Sequence, residues 1–261
     1  MPYIRNQNAR IYWNEEGSGE PLLLIMGLGY PAVMWHRTRP RFAAEFRTIA
    51  LDNRGVGRSD TPDGPYPIAV MASDAAAVLD DAGVERAHVY GVSMGGMIAQ
   101  EFALQYPGRV RSLVLGCTSP GGSNAVRPER EVVDFLTTPQ PGAEEALEAS
   151  VPFIYDSHTP RTLIDEDIAL RRQWLPKAAA YFAQLQGIIA WEAYNRLDQI
   201  NVPTLVIHGE TDRLIPCANS KLIADRIPGA ELRLIPNAGH IFATDQNELT
   251  VNIVLEFLKK H

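Results

Sequence analysis

Residues 87–99 read Ala87-His88-Val89-Tyr90-Gly91-Val92-Ser93-Met94-Gly95-Gly96-Met97-Ile98-Ala99. A short apolar run leads to a glycine-flanked serine, and small and apolar residues follow at helical spacing. The pentapeptide Gly91-Val92-Ser93-Met94-Gly95 fits G-x-S-x-G, a sharp strand-to-helix turn. Glycine stands two residues before and two after the serine because side chains there would collide. The serine itself accepts a strained backbone, and such strain is kept where function uses it. The turn lifts the Ser93 hydroxyl out of the sheet and leaves the Met94 amide at a helix N-terminus facing the same space. Alone, the pattern also fits a plain glycine-rich β-to-α turn. Its surroundings decide.

Before this stretch, Tyr3 to Trp13 reads as strand, and Leu22-Leu23-Leu24-Ile25-Met26 is a continuous apolar run that opens into Gly27-Leu28-Gly29. A strand apolar on both faces belongs in the middle of a parallel sheet covered by helices. Trp35 to Phe46 reads as helix, and Thr48-Ile49-Ala50-Leu51 as a buried strand opening into Asp52-Asn53-Arg54-Gly55-Val56-Gly57-Arg58-Ser59. Pro67 to Ala82 is an alanine-rich helix. After the serine turn come a helix to Tyr106 and a strand from Val110 to Cys117. Strand and amphipathic helix alternate, as in a doubly wound α/β sheet.

From about Gly121 to Leu197 the strands stop. Helical patterns run over Arg130–Leu136, Ala143–Ser150, Thr162–Trp174 and Ala178–Arg196, joined by proline-containing turns. Strands resume at Thr204–His208 and Glu231–Ile235, with helices at Ala218–Arg226 and Glu248–Lys260. The expected organisation is an α/β core from residues 1–120 and 198–261, with residues 121–197 as a helical cap inserted between two strands.

The chain of 261 residues carries 24 basic and 31 acidic side chains, a net charge of −7. That balance argues against nucleic acid or an anionic membrane as partner. No apolar run approaches the roughly 20 residues of a membrane span, and residues 1–6 lack the blocks of a signal peptide. Cys117 and Cys217, the two cysteines, make neither a disulfide framework nor metal-ligand spacing. The expectation is a cytoplasmic protein without metal or cofactor, acting on a small molecule. Nothing in the sequence speaks to oligomeric state.

A serine hydroxyl is a weak nucleophile until a base takes its proton and a third group orients that base. Both belong at the carboxyl ends of later strands, where open α/β sheets place ligands. Thr204–His208 opens into Gly209-Glu210-Thr211-Asp212, and Glu231–Ile235 into Pro236-Asn237-Ala238-Gly239-His240. Glu210 competes with Asp212 for the acid. His88 and His208 fall in strands, where a satisfied core histidine is the ordinary state, and His158 reads as surface.

With the Met26-Gly27-Leu28-Gly29 loop, the Asp52-x-Arg54-Gly55-x-Gly57-x-Ser59 loop, the serine turn and the Asp212 and His240 loops together, the chain resembles the α/β-hydrolase superfamily over almost its whole length. It looks most like serine esterases and lactonases, including enol-lactone and acyl-homoserine lactone hydrolases. The resemblance implies Ser93 as nucleophile, His240 as general base and acid, Asp212 as its orienting carboxylate, and the backbone amides of Leu28 and Met94 as an oxyanion hole. Many relatives carry His-Gly where this chain has Met26-Gly27; the donor is backbone, so that departure leaves the Leu28 amide in place. In relatives the Asp52 loop is structural, and Asp52 and Arg54 are expected to pair. Gly27, Tyr30, Trp35, Trp191, Ile215 and Ile241 are the expected substrate-binding residues, with Arg171 and Arg172 able to reach inward. A serine rather than an aspartate at position 93 argues against haloalkane dehalogenase and epoxide hydrolase chemistry. The resemblance implies hydrolysis of small to medium, largely apolar esters or lactones through an acyl-enzyme. C–C bond hydrolysis and perhydrolase or haloperoxidase-type activity use the same three residues, and some members of the fold are ligand-binding receptors.

Overall fold

A computed structural model describes residues 2–138 and 142–261, so Met1 and the predicted proline turn at 139–141 lie outside the described residues. Eight strands form one sheet: β1 (Tyr3–Asn6), β2 (Ala9–Glu16), β3 (Pro21–Ile25), β4 (Arg47–Leu51), β5 (Ala87–Val92), β6 (Val110–Gly116), β7 (Thr204–Gly209) and β8 (Glu231–Ile235). Their order across the sheet is β1-β2-β4-β3-β5-β6-β7-β8. The first two pairings are antiparallel and all the others parallel. The sequence read β1 and β2 as one stretch; the chain instead reverses at Gln7, which adopts a φ of 51°.

The helices are α1 (Arg39–Ala43), α2 (Ile68–Asp81), α3 (Met94–Gln105), α4 (Arg130–Thr137), α5 (Ala143–Ile154), α6 (Arg161–Arg172), α7 (Ala178–Ile189), α8 (Ala218–Arg226), α9 (Phe242–Asp245) and α10 (Asn247–Lys260). The expected helix over 35–46 is instead a 3-10 turn at Ala32–Trp35 and the five-residue α1. Side-chain alternation along the strands explains the two layers. Leu23 and Ile25 of β3 join Val89, Leu113, Leu115 and Val206 under α2, α3 and α8. Leu22 and Leu24 join Tyr90, Val114 and Ile207 under α1 and α10. Each of these fully buried aliphatic side chains contributes roughly 1.5–3 kcal/mol of transfer free energy.

Helices α4–α7 lie in sequence between β6 and β7, but they do not share one core. Val132, Leu147, Phe153, Ile154, Ile164 and Ile168 of α4–α6 make a separate apolar cluster. Ala180 and Ala183 of α7 belong to the α2–α3 side of the sheet core, and Ala183 C=O accepts from Tyr66 N–H at 3.0 Å. One face of the insertion is therefore built into the sheet's own packing.

The expected Asp52–Arg54 pair does not form. Arg54 makes a two-pronged bond to Asp74 of α2, both contacts at 2.7 Å, with both side chains buried. Asp52 instead accepts the backbone N–H groups of Ala32 and Arg58 at 2.7 and 2.8 Å. The reason lies in the partners: both oxygens of Asp52 are taken by backbone N–H groups, and both oxygens of Asp74 on α2 meet the guanidinium. In sequence terms, Arg54 needed a carboxylate on a neighbouring helix rather than in its own loop.

Candidate active site

β5 delivers Ser93 to the start of α3 with φ 56° and ψ −122°, a region that L-residues enter only under constraint. The constraint is visible. Ser93 N–H donates to Gly116 C=O of β6 at 2.9 Å, and Ser93 C=O accepts from Gly96 N–H at 2.9 Å and from Thr118 Oγ1 at 2.8 Å. The glycines are obligatory by contact: a Cβ on Gly91 would stand 2.1 Å from Gly95 O, and one on Gly95 2.1 Å from Ile25 O. Met94 N–H is the first of α3 and has no acceptor within the helix.

Asp212 follows β7 and His240 follows β8. The two loops are tied by Glu210 N–H to Ile235 O at 3.0 Å and Thr211 N–H to Ala238 O at 2.9 Å. His240 Nδ1 lies 2.7 Å from Asp212 Oδ2. That carboxylate oxygen also meets His208 Nε2 at 2.9 Å, and Oδ1 accepts Ile215 N–H at 2.8 Å. Burial pushes the Asp212 carboxyl up, but the His240 charge and the hydrogen bonds from His208 and His240 outweigh it and bring it down to about 2. It is therefore an anion at neutral pH, and a carboxylate can only accept, so Nδ1 of His240 carries the proton. Glu210 is exposed; the carboxylate that meets His240 is Asp212's.

Ser93 and His240 both open onto a cavity of about 770 Å³, within the usual size range of small-molecule sites. Gly27, Leu28, Tyr30, Trp35, Met94, Ile215 and Ile241 line it. The inserted helices add Phe135 of α4, Arg171 of α6, and Tyr181 and Phe182 of α7. A Cβ built on Gly27 would stand 3.0 Å from Ser93 Cβ, so the loop bearing Leu28 rests against the serine. Among the described residues no group of three or more His, Cys, Asp or Glu side chains is placed to hold a metal ion.

Trp191 does not line this cavity. Its Nε1 donates to Glu101 Oε2 on α3 at 2.8 Å, and its ring faces a separate groove beside Pro65, Pro67 and Ile68. The helix expected to run through Arg196 ends at Ile189, so the helical spacing that would aim residue 191 inward is lost. The indole N–H finds its acceptor on α3 instead.

Of the two arginines expected near the pocket, Arg171 points in and Arg172 out. Arg172 pairs with Glu144 at the surface. The Arg171 guanidinium sits 4.1 Å from the Tyr30 ring centroid, and its buried Nε has no hydrogen-bond partner. Burial raises the Tyr30 phenol, and Arg171 beside it pulls the other way. His158 lies at the surface against Asp156, and His88 is buried against Ser112 Oγ.

Two residues near the site carry no local sequence signal. His208 reads as an ordinary strand histidine, yet it sits on the acid. Gln184 reads as one polar position in a cap helix, yet it is fully buried and reaches two core loops.

A family model described as the alpha/beta hydrolase fold matches residues 20–245. The chain is 33% identical over 264 residues to an Azorhizobium caulinodans protein, RutD, provisionally named a carbamate hydrolase, with 98% of each covered. It is 32% identical over 244 residues to a poly(3-hydroxyalkanoate) depolymerase of Ectopseudomonas oleovorans, with 92% of this chain and 84% of that protein covered. The solved structure of Est816, described as an N-acyl homoserine lactone degrading enzyme, matches with a TM-score of 0.86 at 29% identity, over 98% of this chain and 100% of that one. The match to the family model spans most of the chain, and with it the chain belongs to the α/β-hydrolase family.

Proposed function

We propose that this hydrolase cleaves small to medium, largely apolar carboxylic esters or lactones through an acyl-enzyme. The observation that carries the reading is the meeting, in one mostly apolar cavity, of a serine in a strained turn and a histidine whose far nitrogen is held 2.7 Å from a buried carboxylate. Ser93 Oγ attacks the ester carbon while His240 Nε2 takes its proton. The carbonyl oxygen becomes an oxyanion facing the amides of Leu28 and Met94. As the tetrahedral species collapses, the C–O bond to the alcohol breaks and His240 returns the proton to that oxygen. Water then loses a proton to His240 as its oxygen bonds the acyl carbon; the bond from that carbon to Ser93 Oγ breaks, His240 returns the proton to Oγ, and the acid leaves. Asp212 stays ionised, holds the imidazole tautomer and stabilises the imidazolium.

Each oxyanion donor in such a site is typically worth about 3–4 kcal/mol of barrier. The apolar walls favour alkyl or aryl substituents, and the Arg171 guanidinium, without a carboxylate partner of its own among the described residues, favours a substrate with an acidic or carbonyl oxygen at that end.

The test is steady-state hydrolysis of p-nitrophenyl esters of increasing acyl length, then of lactones, with Ser93→Ala alongside. Wild type should turn over repeatedly, and the variant should lose roughly a thousandfold or more in kcat. A wild type inactive on both esters and lactones, or a variant that keeps its rate, sinks the reading and moves C–C bond hydrolysis or ligand binding without turnover ahead.

A further inference from the structure

We propose that Gln184, on the inserted helix α7, is a positioning residue for the oxyanion-binding amide of Leu28; the inference rests on the acyl-transfer reading above. Gln184 is fully buried. Its Oε1 accepts the N–H of Gly29 at 2.9 Å, and its Nε2 donates to the C=O of Arg54 at 2.8 Å. Both partners are backbone groups, one on the loop after β3 and the other on the loop after β4. A side-chain amide buried in an apolar layer is retained at a cost in desolvation unless both its ends are bonded. Here both ends are.

The geometry of the first loop makes the bond consequential. Gly27 C=O accepts from Tyr30 N–H at 3.2 Å, and Gly29 has a φ of +73°, the pattern of a type II turn with Leu28 and Gly29 at its centre. The Gly29 N–H belongs to the peptide plane between Leu28 and Gly29. The Leu28 N–H belongs to the preceding plane, and the two planes meet at Leu28 Cα. Clamping one plane therefore restricts the rotation that would swing the Leu28 N–H away from Ser93.

The other end of the clamp is itself fixed. Arg54 is locked to Asp74 by two bonds of 2.7 Å, and its neighbour Asn53 donates to Met26 C=O at 2.9 Å. Gln184 thus ties the turn after β3 to the loop after β4. The same helix presents Tyr181 and Phe182 to the cavity, and a Cβ on Gly29 would lie 3.2 Å from the Tyr181 ring. Substrate packed against α7 therefore bears on the helix that holds the oxyanion turn, which couples occupancy of the apolar pocket to kcat.

The experiment compares wild type, Gln184→Met and Gln184→Glu in the p-nitrophenyl ester assay, with thermal unfolding of each and with inhibition by phenylboronic acid. The boronic acid forms a tetrahedral adduct on the serine and so reports transition-state complementarity. Gln184→Met removes both bonds. It should lower kcat between roughly tenfold and a hundredfold with KM within about twofold, and weaken boronate inhibition by the same factor as kcat/KM. Gln184→Glu keeps an acceptor for Gly29 N–H, and with its buried carboxyl protonated its O–H still donates to Arg54 C=O, so its kcat should fall less than that of Gln184→Met; it also serves as the test variant should Gln184→Met not fold. A folded variant with wild-type kcat, or a loss confined to KM with boronate inhibition intact, overturns the proposal, because repacking of α7 alone would give that result. Loss of Ser93-dependent turnover in wild type would instead overturn the acyl-transfer reading itself, so the two failures are distinguishable.

Discussion

His208 presents its Nε2 proton to the same Asp212 oxygen that receives Nδ1–H of His240, at 2.9 and 2.7 Å. His208 Nε2 also faces the Ile215 carbonyl at 2.9 Å, and its Nδ1 lies 2.5 Å from Ser220 Oγ. With two acceptors on one side, Nε2 carries the proton and Nδ1 accepts from the serine hydroxyl. The carboxylate that orients the proposed base is thus itself oriented by a second, fully buried imidazole.

Replacing that imidazole by a hydrocarbon should be felt twice. His208→Leu strands the Ser220 hydroxyl and the Ile215 carbonyl and removes one of three donors from Asp212. Each unsatisfied buried group costs about 1–3 kcal/mol, so the unfolding midpoint should drop by several degrees. Ester kcat/KM should fall by roughly tenfold, the equivalent of about 1.4 kcal/mol. A variant with unchanged kinetics would reduce His208 to a core histidine.

The strain at Ser93 makes an opposite prediction for stability. Holding a non-glycine residue at φ 56° and ψ −122° costs of order 1–3 kcal/mol, and only part of this is returned by the unfolded-state entropy that glycine adds. Ser93→Gly should therefore unfold at a higher temperature than Ser93→Ala, by about 1 kcal/mol at the midpoint, while both lack ester turnover. Equal midpoints for the two variants would mean that the turn is not strained by its Cβ.

A pH dependence follows from Asp245, on α9. Its carboxylate accepts from Gly239 N–H at 2.7 Å and from Thr159 Oγ1 at 2.6 Å, yet burial dominates and pushes it up to about 6. The unfolded chain gives up that proton near its ordinary value of 3.8. Between those values the folded state binds more protons, so stability falls as pH rises from about 4 through about 6 and is flat beyond. The effect is of order 3 kcal/mol. Asp212 works the other way and lower down: its folded carboxyl stands at about 2, so its contribution is present above the ordinary 3.8 and lost as pH falls toward 2. Unfolding midpoints across pH 2–8 for wild type and Asp245→Asn check both signs. The decline between pH 4 and 6 should vanish in the variant, and its persistence there would assign it to another group.

How much was legible depends on how local each cause is. The glycines around Ser93 announce themselves because the turn closes within five residues, and β3 shows both apolar faces because a pleat alternates within two. The order of Ser93, Asp212 and His240 along the chain is equally visible, since each follows a strand. Trp191, Arg54, His208 and Gln184 were not legible in the same way. Trp191 turns on where α7 stops, and Arg54 on which helix offers a carboxylate. His208 turns on how the loop after β7 folds back, bringing Asp212, Ile215 and Ser220 onto its ring. Gln184 bonds partners across the fold, 130 and 155 residues away, and nothing within α7 encodes those distances.

Arg171 offers the sharpest handle on substrate choice. Its guanidinium lies over the Tyr30 ring at 4.1 Å with Nε buried and unpartnered, while its neighbour Arg172 is paired outside the cavity. A charge-assisted hydrogen bond from such a group to a substrate oxygen is worth about 1.5–3 kcal/mol, or roughly tenfold to a hundredfold in kcat/KM. A neutral ester of equal length gains none of it. Arg171→Met keeps most of the stem that packs on Tyr30 and removes the charge. The ratio of kcat/KM for monoethyl succinate to that for ethyl butyrate should therefore fall at least tenfold in the variant, with ethyl butyrate itself little changed. If both esters slow together, Arg171 supports the wall of the cavity. If neither slows, the guanidinium faces solvent in the working enzyme and the substrate is selected by the apolar residues alone.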